Sequence, residues 1–444
     1  MLRSMFTGVS GMRSHMDKMD VISNNIANVN TTGFKGSRAT FKTTLSQTMQ
    51  GASAPQDGRG GTNPQQVGLG VSLGSVDKNM TQGAPQSTGI NTDLAIDGNG
   101  FFVVNSGTEQ VYTRAGSTGF DRDGYMVNTS NGYRMKGWVA DDNGNIDTNG
   151  SLEDITLRQS MEALATDEVN YDANLSADSQ VVNLDEWDEF DTNNIDELLN
   201  HELGEEGNQD ADDEYNEIMR DFQNSIHNTT IDVYDSQGKR HNINVAFVKT
   251  GTNEWQTFTK FEDGDYEEAN EVQFNEDGII ESGDTFTLNQ EIEGVDDLSI
   301  ELDFSSITQF AGVNSVKVDT LNGYQAGSFQ SFDVDNSGII TGYYDNGQRQ
   351  TLGRVAIASF NNPGGLSEVG DTLFRESNNS GIANIDGPGA GGRGVLMAGT
   401  LEMSNVDMAA EFTEMITTQR GFQGNSRTIS TSDELLQELV NLKR

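Results

Sequence analysis

MLRSMFTGVSGMRSHMDKMDVISNNIANVNTTGF, residues 1–34, is the stretch from which the rest of the chain can be read. Leu2, Met5, Val9, Met12, Met16, Met19 and Ile26 advance by threes and fours, and Ser23 is the one polar member of the series. That period puts them on one stripe of an α-helix, of the kind that packs along a partner. The helix is predicted over residues 2–27, about 40 Å at 1.5 Å per residue. It ends where Asn28, Asn30, Thr31, Thr32 and Gly33 cluster, because these residues favour turns over helix interiors. Gly8 and Gly11 each cost about 1 kcal/mol relative to alanine. The helix is therefore marginal alone and needs a partner surface.

The far end of the chain answers it. Leu401, Met408, Met415, Phe422, Ile429 and Leu436 fall at every seventh residue. They predict a second helix over about 401–441, roughly 60 Å long. Its other seam mixes Asn405, Gln419, Ser426 and Asp433 with Phe412 and Val440. Neither helix can bury its stripe alone, so both are expected to fray in the free chain and to order on assembly. The methionines could equally be ordinary core. The two readings differ only in whether the partner helix belongs to the same chain.

At 444 residues the chain is long enough for two to four domains. It has no cysteine, which excludes disulfides, thiolate metal sites and a cysteine nucleophile. The formal charge is −42. Such acidity disfavours general binding to nucleic acid or to anionic membranes. The charge is uneven: residues 1–50 carry six bases and two acids, whereas 161–230 carry 21 acids and one base, Arg220. The acidic segment reads as solvated and outward-facing. No run of about 18 uncharged apolar residues predicts a membrane span. The N-terminus lacks the compact apolar core of a secretory signal, so export would use a route without a cleaved signal.

Residues 31–75, rich in Gly, Ser, Thr and Gln, are predicted as an extended connector. From about residue 76 short strands alternate with glycine turns such as Asp123-Gly124, Gln237-Gly238 and Ser337-Gly338. The β texture of 96–139 returns after 310, as if two distant segments close one domain around an insertion. Within the insertion, 229–261 alternates like a hairpin, offering Val233, Val245, Phe247, Trp255 and Phe258 to one sheet face. Residues 185–223 are acidic and helix-prone.

The chain offers little for catalysis. DRDGY (121–125), DDNGN (141–145) and DVDNSG (333–338) could bind calcium, but the last has Tyr344 where an EF-hand needs a bidentate glutamate. Hairpin turns are the better reading. Gly387, Gly389 and Gly392 fit a bare GxGxxG, yet no strand is predicted before them, so a flexible linker is expected. The four histidines have no metal-ligand spacing, and His15 is placed on the polar face of the first helix. No P-loop occurs, and no cofactor or metal is expected.

GVSGMRSHMDKMDVISNNIANVNTTGFKGSRATF (8–41) strongly resembles the N-terminal signature of the axial proteins of the bacterial flagellum, the rod, hook and hook-associated subunits. The residues that carry it here are Ser23, Asn24, Asn25, Asn28, Asn30, Thr31, Thr32, Gly33 and Phe34. GTLEMSNVDMAAEFTEMITTQRGFQGNSRTIST (399–431) resembles their C-terminal signature. DGNGFFVV (97–104), residues 112–138, 233–256 and 322–374 are similar to the hook branch in particular. Three departures are visible. Gly421 and Gly424 stand where alanine is usual, the block 185–223 has no counterpart, and the missing cysteine excludes a cysteine–lysine cross-link.

The resemblance implies an α+β fold of β-rich globular domains nested in series. The long N- and C-terminal helices would pair as a coiled-coil-like inner element (1–30 with 401–444). Residues 31–75 would be the connector, 76–158 with 309–400 the middle domain, and 159–308 an outer domain carrying the acidic insertion. It implies a non-enzymatic structural subunit that polymerises with itself into the curved hook outside the cell. Its implied partners are the distal rod protein, the hook cap, the hook–filament junction proteins and the flagellar type III export apparatus, with no nucleic acid and no membrane insertion. A rod or hook-associated subunit is the alternative. A secreted acidic adhesin or calcium-binding protein with axial-type termini is the alternative from another class.

Overall fold

The computed structural model describes residues 2–55, 58–107, 109–141, 144–182, 223–262, 264–292 and 294–442, so the acidic block 185–223 lies outside them except for Gln223. The chain forms two compact units. Residues 1–158, 331–343 and 349–444 make the first, and 159–330 with 344–348 make the second.

In the first unit, helix α1 spans Leu2–Ala27 and helix α2 spans Met408–Leu442. They lie side by side and antiparallel, with contacts at Ser4–Ser432, Lys18–Glu414 and Asn25–Glu411. The heptad count predicts a start for α2 near 401, but the helix begins at 408. Asp407 sets that start by accepting the Ala409 and Ala410 amides at 2.8 and 3.1 Å, two of the donors a helix N-terminus leaves unsatisfied. Upstream, Leu401 lies on a strand, Thr400–Glu402, paired antiparallel with Pro85–Ser87.

The predicted connector is a paired ribbon. Ser37–Thr43 runs antiparallel to Val71–Lys78, with a register shift at Thr40/Phe41, and Ser46–Gln50 pairs with Gln65–Gly68. Serine, threonine and glutamine hide a β pattern from hydropathy, because the ladder is made by backbone groups that every non-proline residue carries.

Beyond the ribbon, the central strand Phe101–Asn105 is apolar on both sides. Phe102 and Val104 enter one core with Leu94, Ile96, Met126 and Leu396. Phe101 and Val103 enter another with Tyr112, Trp138 and Phe374. A strand covered on both faces reads as a continuous apolar run, which is why FFVV does not alternate. Distant segments close this region: Gly137 pairs with Val355 within the sheet, and Leu94 with Ala398 in a separate two-stranded ladder.

The second unit packs two sheets around one core. Glu168–Ser176 lies between Leu298–Phe310, its parallel neighbour, and Lys317–Leu321, its antiparallel one. The sequence closes this insertion at 308, but those two strands carry the unit on to residue 330. A meander of Ile226–Tyr234, Arg240–Gly251, Glu254–Phe261 and Glu267–Phe274 forms the facing sheet. Val233, Val245, Phe247 and Trp255 point into the shared core. Phe258 does not join them: it pairs with Ala246, on the opposite side from Phe247, and is buried there.

The Gln237-Gly238 turn is held by Asp235. One carboxylate oxygen accepts the Gln237 and Lys239 amides at 2.9 Å, and the other faces His241 Nε2 at 3.1 Å. Burial alone would raise the Asp235 pKa, but the His241 ring and the two amides outweigh it and hold the carboxyl below its ordinary value. This stability is present above the usual aspartate range and is lost as pH falls through the depressed value. Asp235→Ala should destabilise the second unit by about 2 kcal/mol in denaturant melts at pH 7, with the difference shrinking in acid.

Candidate functional site

The candidate surface is built where the chain ends meet. On α1 the residues facing α2 are Ser4, Gly8, Gly11, His15, Lys18 and Asn25, spaced by threes and fours as far as Lys18, with the buried Ile22 between Lys18 and Asn25. This seam lies one position before the apolar stripe, a rotation of about 100° around the helix. Its residues are small or polar. A Cβ at Gly8 would stand 3.0 Å from Ile429 Cγ1, and one at Gly11 2.6 Å from the Asn425 amide nitrogen. A Cβ at Gly421 would meet the His15 ring at 2.6 Å. Three of the four helical glycines are thus seats for the opposite helix, whereas a Cβ at Gly424 meets nothing within 4 Å. His15 sits in this seam, edge-on to Phe41 at 5.6 Å, and not on an outward polar face.

The predicted stripe is left largely uncovered. Val9 and Met16 are 50% and 54% exposed, and Met5, Met12, Met19 and Ile26 are half-buried. Leu2 is the first residue of α1. On α2, Met408, Phe412 and Val440 are exposed, while Met415, Phe422, Ile429 and Leu436 are half-buried. Phe6, Ile416, Leu435 and Leu439 are further exposed apolar residues that the heptad count does not single out.

The N-terminal signature is a clasp. Asn25 donates to Ser37 O at 2.7 Å and accepts the Ser37 amide at 2.9 Å, while the same amide group reaches Glu411 Oε1 at 2.9 Å. Ser23 and Asn28 bond back to Met19 O and Asn24 O within the last turns of α1. Thr31 reaches Asn28 Oδ1, and the Phe34 amide closes onto Thr31 O. Asn30 and Thr32 fill the intervening turn. Gly33 has φ +67°, and a Cβ there would lie 2.5 Å from the Ala115 nitrogen. Phe34 is buried beneath the Lys78 ammonium, 5.2 Å from the ring centre. Asn405, read as part of a helix seam, instead precedes α2 and binds the Gly36 amide and the Asn79 and Thr81 carbonyls.

Beneath this turn lies an ionic cluster that the sequence does not announce. Glu402 accepts Lys35 Nζ at 2.5 Å and Arg114 Nη1 at 3.0 Å, with side-chain exposures of 1% for Lys35 and Glu402 and 4% for Arg114. Burial pushes both cations below their ordinary pKa values, and Glu402 opposes the shift in each.

Two titrations act across the helix seam. Burial pushes the Glu411 carboxyl above its ordinary 4.5, the Asn25 bond opposes this, and Glu414 adds to it. One of its oxygens, Oε2, is buried without a hydrogen-bond partner. A raised carboxyl stabilises the docked state fully below 4.5 and loses that contribution as pH rises through the folded value. His15 runs the other way: burial, then Lys18, lowers its pKa, so stability falls as pH drops below 6.5.

The remaining motifs serve the fold. Asp121, Asp141 and Asp335 each turn an oxygen back onto following amides, those of Tyr125, Asn145 and Ile339. The glycines at 387–392 form a turn between the strands Asn384–Asp386 and Val395–Ala398, with the Pro388 carbonyl bonded by Arg354; no helix follows it directly. No cluster of three metal-ligating side chains occurs among the described residues.

Comparison with known proteins gives the same class at both ends and in between. The family described as flagella basal body rod protein matches residues 5–35, and the C-terminal family of flagellar basal body rod FlgEFG proteins matches 397–442. The flagellar hook protein FlgE/F/G D1 domain matches 95–169, and the flagellar basal body protein FlaE D2 domain matches 206–324, which reaches into the acidic block. These are axial proteins of the flagellum.

Along its whole length the chain is 40% identical to the flagellar hook protein FlgE of Borreliella burgdorferi, with both chains fully covered. It is 31% identical, again over both whole chains, to the flagellar basal-body rod protein FlgG of Bacillus subtilis. The crystal structure of Helicobacter pylori flagellar hook protein FlgE2 shares the fold, with a TM-score of 0.51 at 15% identity over 72% of this chain and all of that one. The chain belongs to the flagellar hook protein family.

Two measurements check the site. Gly33→Ala forces a side chain into left-handed backbone against Ala115, and should cost about 2 kcal/mol or more while loosening residues 28–43 to proteolysis. Glu411→Gln should leave the helical melt less dependent on pH just above 4.5 than in the wild type, since the His15 contribution is common to both proteins.

Proposed function

We propose that the chain is the structural subunit of a flagellar hook and polymerises through the exposed stripes of α1 and α2. The observation that carries this is the division of labour on the terminal helices. Small and polar residues hold α1 to α2 within the chain, while the methionine-rich stripe beside that seam stays only partly covered, with Val9 and Met16 exposed. Contiguous apolar surface of this kind marks an interaction site. Methionine, unbranched and polarisable, suits contacts that must repack as a tube bends.

In this reading neighbouring copies complete a coiled-coil-like inner wall, and the β-rich part of the first unit forms the layer outside it. The tube is a universal joint passing motor torque to the filament. Its ends meet the distal rod protein, the growing cap and the hook–filament junction proteins. The subunit leaves by the flagellar type III route without a cleaved signal, and it has no catalytic role. The whole-length likeness to a protein named as a rod subunit supports a second reading, a rod component.

Met12→Asp or Met16→Asp should abolish tube formation while both β units keep their circular dichroism and solubility; normal tubes from either variant would sink the assembly reading. In a deletion strain, electron microscopy of basal bodies should find rods without curved hooks. Truncated rods would favour the second reading.

A further inference from the structure

The ionic cluster beneath the signature turn has a role that polymerisation does not require. Lys35 Nζ reaches Glu402 Oε1 and the Thr81 carbonyl at 2.8 Å. Arg114 reaches Glu402 Oε2, the Ile96 carbonyl at 3.3 Å and the Gly98 carbonyl at 2.7 Å, and its guanidinium lies 5.4 Å from the centre of the Phe101 ring. Glu402 Oε1 also accepts the Gly83 amide at 2.8 Å, and the Glu402 backbone carbonyl accepts the Gly33 amide at 2.8 Å. One residue of the C-terminal segment therefore holds the N-terminal turn by side chain and by backbone.

We propose that Glu402 is a positioning residue that makes docking of residues 33–36 conditional on docking of the strand Thr400–Glu402. The α1 helix is then anchored to the β-rich part of its unit only when both ends of the chain are in place.

The physics is asymmetric. With Glu402 present, two cations and one carboxylate share a dry site, and backbone carbonyls satisfy further donors. Without it, Lys35 and Arg114 would be buried beside each other with no anion, and an uncompensated buried charge is far costlier than the complete cluster is stabilising. The turn has no slack in which to avoid this, because Gly33 already lies against the Arg114–Ala115 backbone. Lys35 must stay in water, and the turn undocked, until residue 402 arrives. The inference holds whether or not the exposed stripes bind other copies, since it concerns a single chain.

Amide hydrogen exchange on the soluble full-length protein tests it. The reporters are Gly33, Gly36 and Ser37, with strand Phe101–Asn105 as the internal reference. In Glu402→Gln the three turn amides should exchange about a hundredfold faster, with the reference strand unchanged. Adding Lys35→Met removes the cation stranded on the turn and should recover at least about tenfold of that loss. Turn amides in Glu402→Gln within about threefold of wild type would overturn the proposal. So would a double variant that exchanges as fast as the single one. Should Glu402→Gln also loosen the reference strand, the double-to-single comparison still decides.

Discussion

A carboxylate buried between two cations fixes the point at which the ends of this chain meet. Glu402 lies 367 residues from Lys35 and 288 from Arg114 in sequence, and their burial leaves no alternative water-exposed arrangement once the site has closed. Much of the surrounding structure follows from that fixed point. The signature turn closes over it, Asn25 locks the start of the ribbon beside it, and Asn405 and Asp407 set where α2 begins only a few residues further on. Such a cluster adds little net stability compared with well-packed apolar residues. What it supplies is a defined geometry, since ionic partners tolerate displacement poorly in a dry site.

The helix pair obeys a different logic. An interface of glycine, serine, histidine and asparagine lets backbones approach closely and uses little apolar surface. That leaves the apolar stripe of α1 and the sevens of α2 only partly covered in a single chain. The Lys18–Glu414 pair across the seam is partly exposed and contributes modestly. The pair is therefore held mainly by shape and by the clasp at its base, and its hydrophobic surface remains available for contacts outside the chain.

Both helices, and the closing of one β sheet by segments on either side of an insertion, were legible in the sequence, because apolar period and turn residues carry those signals directly. The start of α2 was not, because the heptad count runs unbroken through Leu401 while the capping carboxylate of Asp407 decides the boundary. The stripe of Leu2 to Ile26 was legible as periodicity, but the seam one residue earlier was not: Gly8, Gly11, His15 and Lys18 carry no hydropathy signal, and only their spacing could have given them away. The ribbon at 37–78 was missed because its strands are rich in serine, threonine and glutamine. Phe258 was assigned to the wrong sheet face because it lies three residues from Trp255, an odd step that strand alternation places on the opposite face. Lys35, Arg114 and Glu402 are ordinary residues far apart in the chain, and nothing short of the fold brings them together.

The two helices are unequal in length, and this has a consequence for symmetry. The seam reaches Ser432, opposite Ser4 near the start of α1, yet α2 continues ten residues further to Leu442, about 15 Å. Leu435, Leu439, Val440 and Leu442 are exposed along this overhang. This stretch of α2 forms a tongue that the described residues of α1 do not line. Covering the tongue with a different part of the next copy joins unlike surfaces, head to tail. Contacts of that kind, repeated without closing on themselves, build an open helical array and not a closed pair.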